Sequence, residues 1–423
     1  MTSFRFIHAA DIHIDSPLRG LPVREGSAGA RIRLATRSAF EQLISSAIEE
    51  EVAFLVIAGD LYDGDWRDFQ TGLFFVQQMG RLAQAGIRAF VLLGNHDAES
   101  QITRKLPLPS NVEVFSHRKP QTIRLEALGV ALHGQSFRQR DIMDNLAAGY
   151  PEPVAGIFNI GVLHTALEGN TEHASYAPCS LAELVAKGYD YWALGHVHKG
   201  QVLHERPHVV FPGNLQGRHI KEIGAKGAHL VTVVDREITE FARLPCDVVC
   251  WARIAVSVES CSRVSDVHDL VRAALEAECA AAEDRLLACR IELTGRTALH
   301  GEFVAALETL QAEAQAAALG LGEDVAWIER LVVATEAPSR TEGTGQAHEA
   351  FGELQDMLAG AATDEDLAQR LAGDLGEFVR KLPIEIRSDP DDPVLKAALG
   401  SDHGAVVEKV QDFLRARLLE PEE

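Results

Sequence analysis

The stretch YDYWALGHVHKG, residues 189–200, runs from an apolar segment into two histidines, two positions apart, between Gly195 and Gly200. A buried strand that ends in H-x-H presents both imidazoles on one face, because side chains alternate along a strand with a period of two. Taken alone, the pair reads more readily as two surface histidines in a turn. Whether it is more depends on what other strand ends in the chain supply.

Apolar runs recur through residues 1–235: FRFIHA, VAFLVIA, IRAFVLL, GVALHG, FNIGVLH, YDYWALG and HVVFPG. Between the first two, RLATRSAFEQLISSAIEE places Leu34, Phe40, Leu43, Ile44, Ala47 and Ile48 at near-helical spacing. Between the next two, TGLFFVQQMGRLAQAG predicts a second helix that stops at Gly86. Early β–α alternation followed by strands with few helices implies an α/β fold with a mixed second sheet.

Polar residues punctuate five of these strand ends. The first delivers Asp11 and His13, the second Asp60 and then Asp63, and the third Asn95, His96 and Asp97 within GNHD. A later one ends at His164, and the opening stretch adds His196 and His198. Each alone is an ordinary turn, cap or core residue. As the ordered set D-x-H, GD, GNHD, H, GHVH, they bring Asp, His and Asn to the edge where α/β folds place their sites. Imidazole, carboxylate and one amide oxygen, with no thiolate, suit Mn²⁺, Fe²⁺ or Zn²⁺. Seven ligands exceed one tetrahedral ion but suit two ions sharing a carboxylate, an arrangement fitted to in-line displacement at phosphorus. Glycines beside Asp60, Asn95 and His196 are expected to allow sharp backbone turns there.

This set resembles the calcineurin-like metallophosphoesterases over about residues 4–235. The resemblance implies a four-layer α/β/β/α metallophosphoesterase sandwich and two divalent metal ions, manganese foremost. It implies Asp11, His13, Asp60 and His198 as ligands of one ion, and Asp60, Asn95, His164 and His196 as ligands of the other. His96 then becomes the unliganded histidine that serves the phosphate and leaving oxygen, and Asp97 the carboxylate that orients it. GDLYDGD and GNHD, in place of the GD-x-x-D-R and GNHE of phosphoprotein phosphatases, disfavour that branch. HAADIHIDSPLRG and FPGNLQGRHIKE are similar to the bacterial DNA-repair exonuclease branch, the SbcD-like nuclease subunits. Archaeal and eukaryotic relatives of that branch carry a histidine where Asp63 stands, so the resemblance assigns Asp63 no role.

The chain has 423 residues and a net charge of −22, unevenly spread: residues 1–235 carry −3 and residues 236–423 carry −19. Two divalent cations would bring the first part to about +1, a charge that tolerates a polyanion. The basic residues Arg104, Lys105, Arg118, Lys119, Arg124, Arg138 and Arg140, with Arg218, His219 and Lys221 further on, are candidates for phosphate contacts or plain solvated charge. The six cysteines contain no C-x-x-C pair, which favours reduced structural thiols. No apolar stretch approaches a membrane span and MTSFRFIHAADIH lacks the form of a leader, so no membrane role and a cytoplasmic location are expected.

The expected domains are a catalytic domain over 1–240, an α+β capping domain over 241–335, a Pro/Gly/Thr/Ser-rich linker over 336–350 and an acidic helical tail over 351–423. In the tail, Val406, Val407, Val410, Phe413, Leu414 and Leu418 recur at helical spacing, which suits docking on a partner or packing on the cap. The expected function is a metal-dependent DNA exo/endonuclease without sequence preference, the nuclease subunit of a repair complex with an SMC-like ATPase; a homodimer is left open. Two alternatives stand beside it: a cyclic-nucleotide phosphodiesterase, and a catalytically silent scaffold for the ATPase.

Overall fold

The computed structural model describes residues 2–16, 27–63, 69–99, 107–167 and 176–337. In the tail it describes 370, 373, 375–376, 378–381, 393–402, 404–407 and 410. One compact unit comprises 1–253, 277–289 and 321–329, and a second comprises 254–276, 290–320 and 330–423.

Two six-stranded sheets form the body of the first unit. The first sheet contains β1 (Ser3–Ala9), β2 (Phe54–Ala58), β3 (Arg88–Leu92), β4 (Val112–Val114), β11 (Gly227–Val234) and β12 (Glu237–Pro245), ordered β12-β11-β1-β2-β3-β4. The second contains β5 (Gln121–Leu125), β6 (Val130–Gly134), β7 (Phe158–His164), β8 (Tyr191–Gly195), β9 (Gln201–Glu205) and β10 (His208–Phe211), ordered β5-β6-β7-β8-β10-β9. β1 to β4 run parallel, as do β6, β7, β8 and β10, while β11, β12, β5 and β9 add antiparallel edges. The second sheet is thus mixed, as the sequence predicts.

Period-two alternation assigns each face its layer. Phe4 and Phe6 of β1 point into an inter-sheet core with Phe54, Phe90, Phe158, Ile160 and Tyr191, where Phe6 stacks on Phe54 at 5.2 Å. Ile7 and Ala9 point the other way, onto α1 (Ser27–Glu49) and α2 (Phe69–Gln84), through Phe40, Leu43, Ile44, Phe75 and Met79. Beyond the second sheet, Leu163, Trp192 and Leu194 pack with Tyr150 and with Leu184 of α4 (Leu181–Ala186). The order of layers is helix, sheet, sheet, helix. β2, β6, β7 and β8 are buried along their whole length, which is why they read as unbroken apolar runs.

Two expectations need correcting. Leu34 does not join the buried stripe of α1; it is 53% exposed, and Ile32, Ala35 and Ala39 take the inward positions. The strand runs also omit the short β4, β5 and β9, together with β11, which pairs with β1 from Ser3↔Val234 to His8↔His229, and its hairpin partner β12.

A third sheet, β13 (Val249–Ser257), β14 (Leu286–Arg296) and β15 (Ala326–Glu336), has β14 at its centre. Between its strands come helices α5 (Asp266–Ala282), α6 (His300–Ala305) and α7 (Leu307–Leu321); the five-residue α3 (Asn95–Glu99) opens earlier, after β3. In the tail, α8 spans Pro393–Leu399; Val406 and Val407 are buried and Val410 is exposed. Phe413, Leu414 and Leu418, and residues 338–350 of the expected linker, lie outside the described residues. None of the six cysteines is in a disulfide. Among the described residues, no helix is long and apolar enough to cross a membrane.

Candidate metal centre

The carboxyl ends of β1, β2, β3, β7 and β8 converge, so both large sheets contribute to one site. Beyond β1 and β2 the two chain segments stay paired: Asp11 N–H donates to Gly59 O, His13 N–H to Asp60 O and Ile14 N–H to Leu61 O, each at 3.0 Å. Hydrogen bonds tie the sheets together. His164 Nδ1–H donates to Ala58 O at 3.0 Å, and His196 N–H lies 3.0 Å from both Asp11 carboxylate oxygens.

The backbone is strained here. Asp11, His13 and Asp60 have φ of 50°, 47° and 52°, and His196 has φ of 104°. Non-glycine residues in this region cost roughly 1–3 kcal/mol each, a cost that surrounding structure must offset. The glycines divide into two kinds. Gly59, at φ 99°, does make the expected turn. At Gly94 and Gly195 the reason is space instead: a Cβ would overlap Asp60 Oδ1 at the first and Ala58 O at the second.

All seven expected ligands come together. Asp11, His13 and His198 offer ligand atoms within 4.8 Å of one another, and so do Asp60, His164 and His196. Asp60 lies between the groups, its Oδ2 3.9 Å from His13 Nε2 and 3.5 Å from His164 Nε2. Asn95 Oδ1 is 2.9 Å from His164 Nε2. The donor chemistry fits divalent cations. Nδ1–H of His164 and of His198 is committed to Ala58 O and to Glu222 Oε1, which turns each Nε2 inward. The Nε2 atoms of His13 and His198 face each other at 3.2 Å, and the buried His13 Nδ1 has no hydrogen-bond partner.

Electrostatics agree with a site that attracts positive charge. Burial alone would lower the His164 pKa, yet the Asp60 carboxylate and then Asp11 outweigh it and lift the group to about 9. Asp60 is held well below the carboxylate range, its burial outweighed by His164. A proton and a cation compete for the same lone pair at such a histidine.

His96 stands at the rim, its side chain 31% exposed, with Nδ1 3.0 Å from Asp63 Oδ1. Burial pulls its pKa down, but the Asp63 hydrogen bond and the Asp60 charge prevail, and the net shift is upward. The carboxylate against this imidazole is therefore Asp63, and the assignment of that position to Asp97 is corrected. Asp97 accepts backbone N–H bonds from Leu61 at 3.1 Å, Tyr62 at 2.8 Å and Gly94 at 2.9 Å, and so fastens the β2 loop to the GNHD turn.

Glu222, Ser16 and Asn214 escape the sequence analysis. Glu222 Oε2 accepts from Asn214 Nδ2 and from Arg218 N–H, both at 2.8 Å, while Oε1 receives His198. The only signal was the density of polar residues in FPGNLQGRHIKE behind a buried strand. Arg218, a candidate phosphate contact, instead points inward to Glu222. Arg118, Lys119, Arg124, Arg138 and Arg140 are exposed, and Arg104 and Lys105 lie outside the described residues.

Residues 4–200 match the calcineurin-like phosphoesterase family, and residues 251–336 match the middle domain of the metallophosphoesterase YhaO. The chain is 39% identical to the metallophosphoesterase YhaO of Bacillus subtilis over 276 residues, covering 64% of this chain and 67% of that protein. It is 28% identical to the DNA double-strand break repair protein Mre11 of Methanopyrus kandleri over 251 residues, 53% of this chain and only 52% of that one. Among solved structures, a dimetal phosphatase from Danio rerio aligns with 58% of this chain and 99% of its own at 10% identity, with a TM-score of 0.35. The chain belongs to the calcineurin-like metallophosphoesterases.

Proposed function

We propose that this phosphoesterase is a Mn²⁺-dependent DNA exo/endonuclease without sequence preference, the nuclease subunit of a repair complex with an SMC-like ATPase. The hydrolytic part rests on one observation: seven donors converge beside a rim histidine that holds its proton through Asp63. When bound, two divalent cations supply Lewis acidity at a phosphoryl group and make water more acidic. Asp11, His13, Asp60 and His198 would hold one of them, and Asp60, Asn95, His164 and His196 the other. A donor set of nitrogen and oxygen without sulfur suits manganese.

The chain's own residues do the remaining work. Asp63 fixes the tautomer of His96 by accepting from Nδ1, which leaves Nε2 free to pass a proton to the departing oxygen. The exposed face of His96 lets a substrate reach it. Asp97 and the Gly94 turn hold the His96 backbone, whose N–H donates to Asp60 Oδ1 at 3.0 Å.

DNA as the substrate is supported by the likeness to Mre11 and by the near-neutral charge of residues 1–235. The ATPase partner is supported by the resemblance to the SbcD-like branch and by the acidic character of residues 236–423. The test is digestion of end-labelled duplex and single-stranded DNA with Mn²⁺, with a cyclic-nucleotide assay alongside. Mn²⁺-dependent shortening of labelled DNA is expected. Cyclic-nucleotide turnover with DNA left intact would replace this proposal with the small-molecule phosphodiesterase.

A further inference from the structure

The donor pocket and the rim histidine are joined by a second route that runs outside the pocket. His96 Nδ1 meets Asp63 Oδ1 at 3.0 Å, and Asp63 Oδ2 accepts from Ser16 Oγ at 2.7 Å. Ser16 Oγ is 3.4 Å from one terminal nitrogen of Arg218, and the other terminal nitrogen donates to Glu222 Oε1 at 3.0 Å. The same Glu222 oxygen accepts from His198 Nδ1 at 2.7 Å. The proposed function uses His96, Asp63 and His198; it does not use Ser16, Arg218 and Glu222, which join them.

We infer that Arg218 and Glu222 are positioning residues that set His198 for its cation and, through Ser16 and Asp63, set His96 for proton transfer. This rests on the two-cation hydrolase proposed above. The architecture favours it on three grounds. Glu222 and Arg218 have side chains only 7% and 15% exposed, so the pair is shielded from water, where removing one partner leaves the other charge uncompensated. Glu222 is saturated: Asn214, the Arg218 backbone and the Arg218 guanidinium fix the carboxylate, so the oxygen facing His198 cannot swing away. Only a guanidinium, with its planar fork of donors, can reach Glu222 and Ser16 at once. Lys226 Nζ, donating to His198 O at 3.1 Å, steadies the histidine from its backbone side.

Two consequences separate this role from general structural support. Glu222 touches His198 and none of Asn95, His164 and His196, so its loss should affect one cation and spare the other. Arg218 links the two ends, so a lysine there should keep Glu222 paired while releasing Ser16, and proton transfer should suffer without a loss of metal.

The experiment is titration calorimetry of the full chain with Mn²⁺, with hydrolysis of bis(p-nitrophenyl) phosphate measured on the same samples. For Glu222→Ala, one of two Mn²⁺ affinities should fall by about 10- to 100-fold, the range usual for loss of a ligand-orienting partner, while the other stays within about threefold. For Arg218→Lys, both affinities should stay near wild type while kcat falls about tenfold or more with little change in KM. A wild-type isotherm in Glu222→Ala, equal weakening of both sites, or wild-type kcat in Arg218→Lys would overturn the inference alone. A wild-type chain that binds no Mn²⁺ would overturn the two-cation hydrolase and this inference with it. Should Glu222→Ala fail to fold, Arg218→Lys decides.

Discussion

His96 Nδ1 lies 3.0 Å from Asp63 Oδ1, so the histidine at the rim of the pocket is aimed by the residue three positions after Asp60. Asp63→Asn should therefore lower kcat for a phosphodiester by about 10²-fold, the range for a misdirected general acid, with Mn²⁺ stoichiometry unchanged. The variant also loses the charge that helps to raise the His96 pKa. His96 then gives up its proton at lower pH, and the alkaline limb of kcat/KM should move to lower pH. An unmoved limb in a pH–rate profile would remove His96 from proton transfer.

Asp97 should behave in the opposite way. Asp97→Ala strands the N–H groups of Leu61, Tyr62 and Gly94, and buried donors without partners cost roughly 1–3 kcal/mol each. A loss of about 3 kcal/mol or more in urea unfolding is expected. A stable Asp97→Ala protein with a specific defect in kcat would restore Asp97 to catalysis.

Crowding around His164 gives a third expectation. A Cβ at Gly195 would overlap Ala58 O and press on His164 Nδ1, whereas a Cβ at Gly86 meets nothing within 4 Å. Gly195→Ala should cost about 3 kcal/mol or more, because backbone must move and the sheets lose their tie. Gly86→Ala should cost about 1 kcal/mol, for its positive φ of 75° alone. Chemical denaturation compares them, and similar costs would refute the close approach of the two sheets.

Acid should destabilise the fold through buried histidines outside the ligand set. Burial lowers His8 to about 3, and burial with the nearby Arg243 lowers His229 to about 4, from 6.5. Between those values and 6.5, the unfolded chain binds more protons than the folded one, so stability rises with pH across that window. It is fully present above about pH 6.5 and is lost progressively as pH falls toward 3, by on the order of a few kcal/mol for His8. His229→Phe, which preserves the stacking on Phe241 at 4.6 Å, should flatten this dependence between pH 6.5 and 4. An unchanged slope of unfolding free energy against pH would show that His229 titrates normally.

What the sequence revealed follows from the physics of each feature. The ligands were legible because each ends a strand buried on both faces, so an apolar run breaks abruptly into Asp, His or Asn, as at FNIGVLH and YDYWALGH. β4, β5, β9, β11 and β12 escaped: β12, for one, is exposed or half-buried along its whole length and lacks an apolar run, whereas β11 is mostly buried and was missed all the same. The pairing of His96 with Asp63 was hidden because it depends on how two loops meet, and adjacency in GNHD favoured Asp97. Glu222 lies 24 residues from His198, and only the fold brings them to 2.7 Å.

The most direct test of the two-cation centre is an anomalous difference map from crystals of the full chain grown with Mn²⁺. Two peaks are expected about 3.5–4 Å apart with Asp60 between them. One should be bounded by Asp11, His13 and His198, and the other by Asn95, His164 and His196. A single peak, or a pair elsewhere on the molecule, would contradict it.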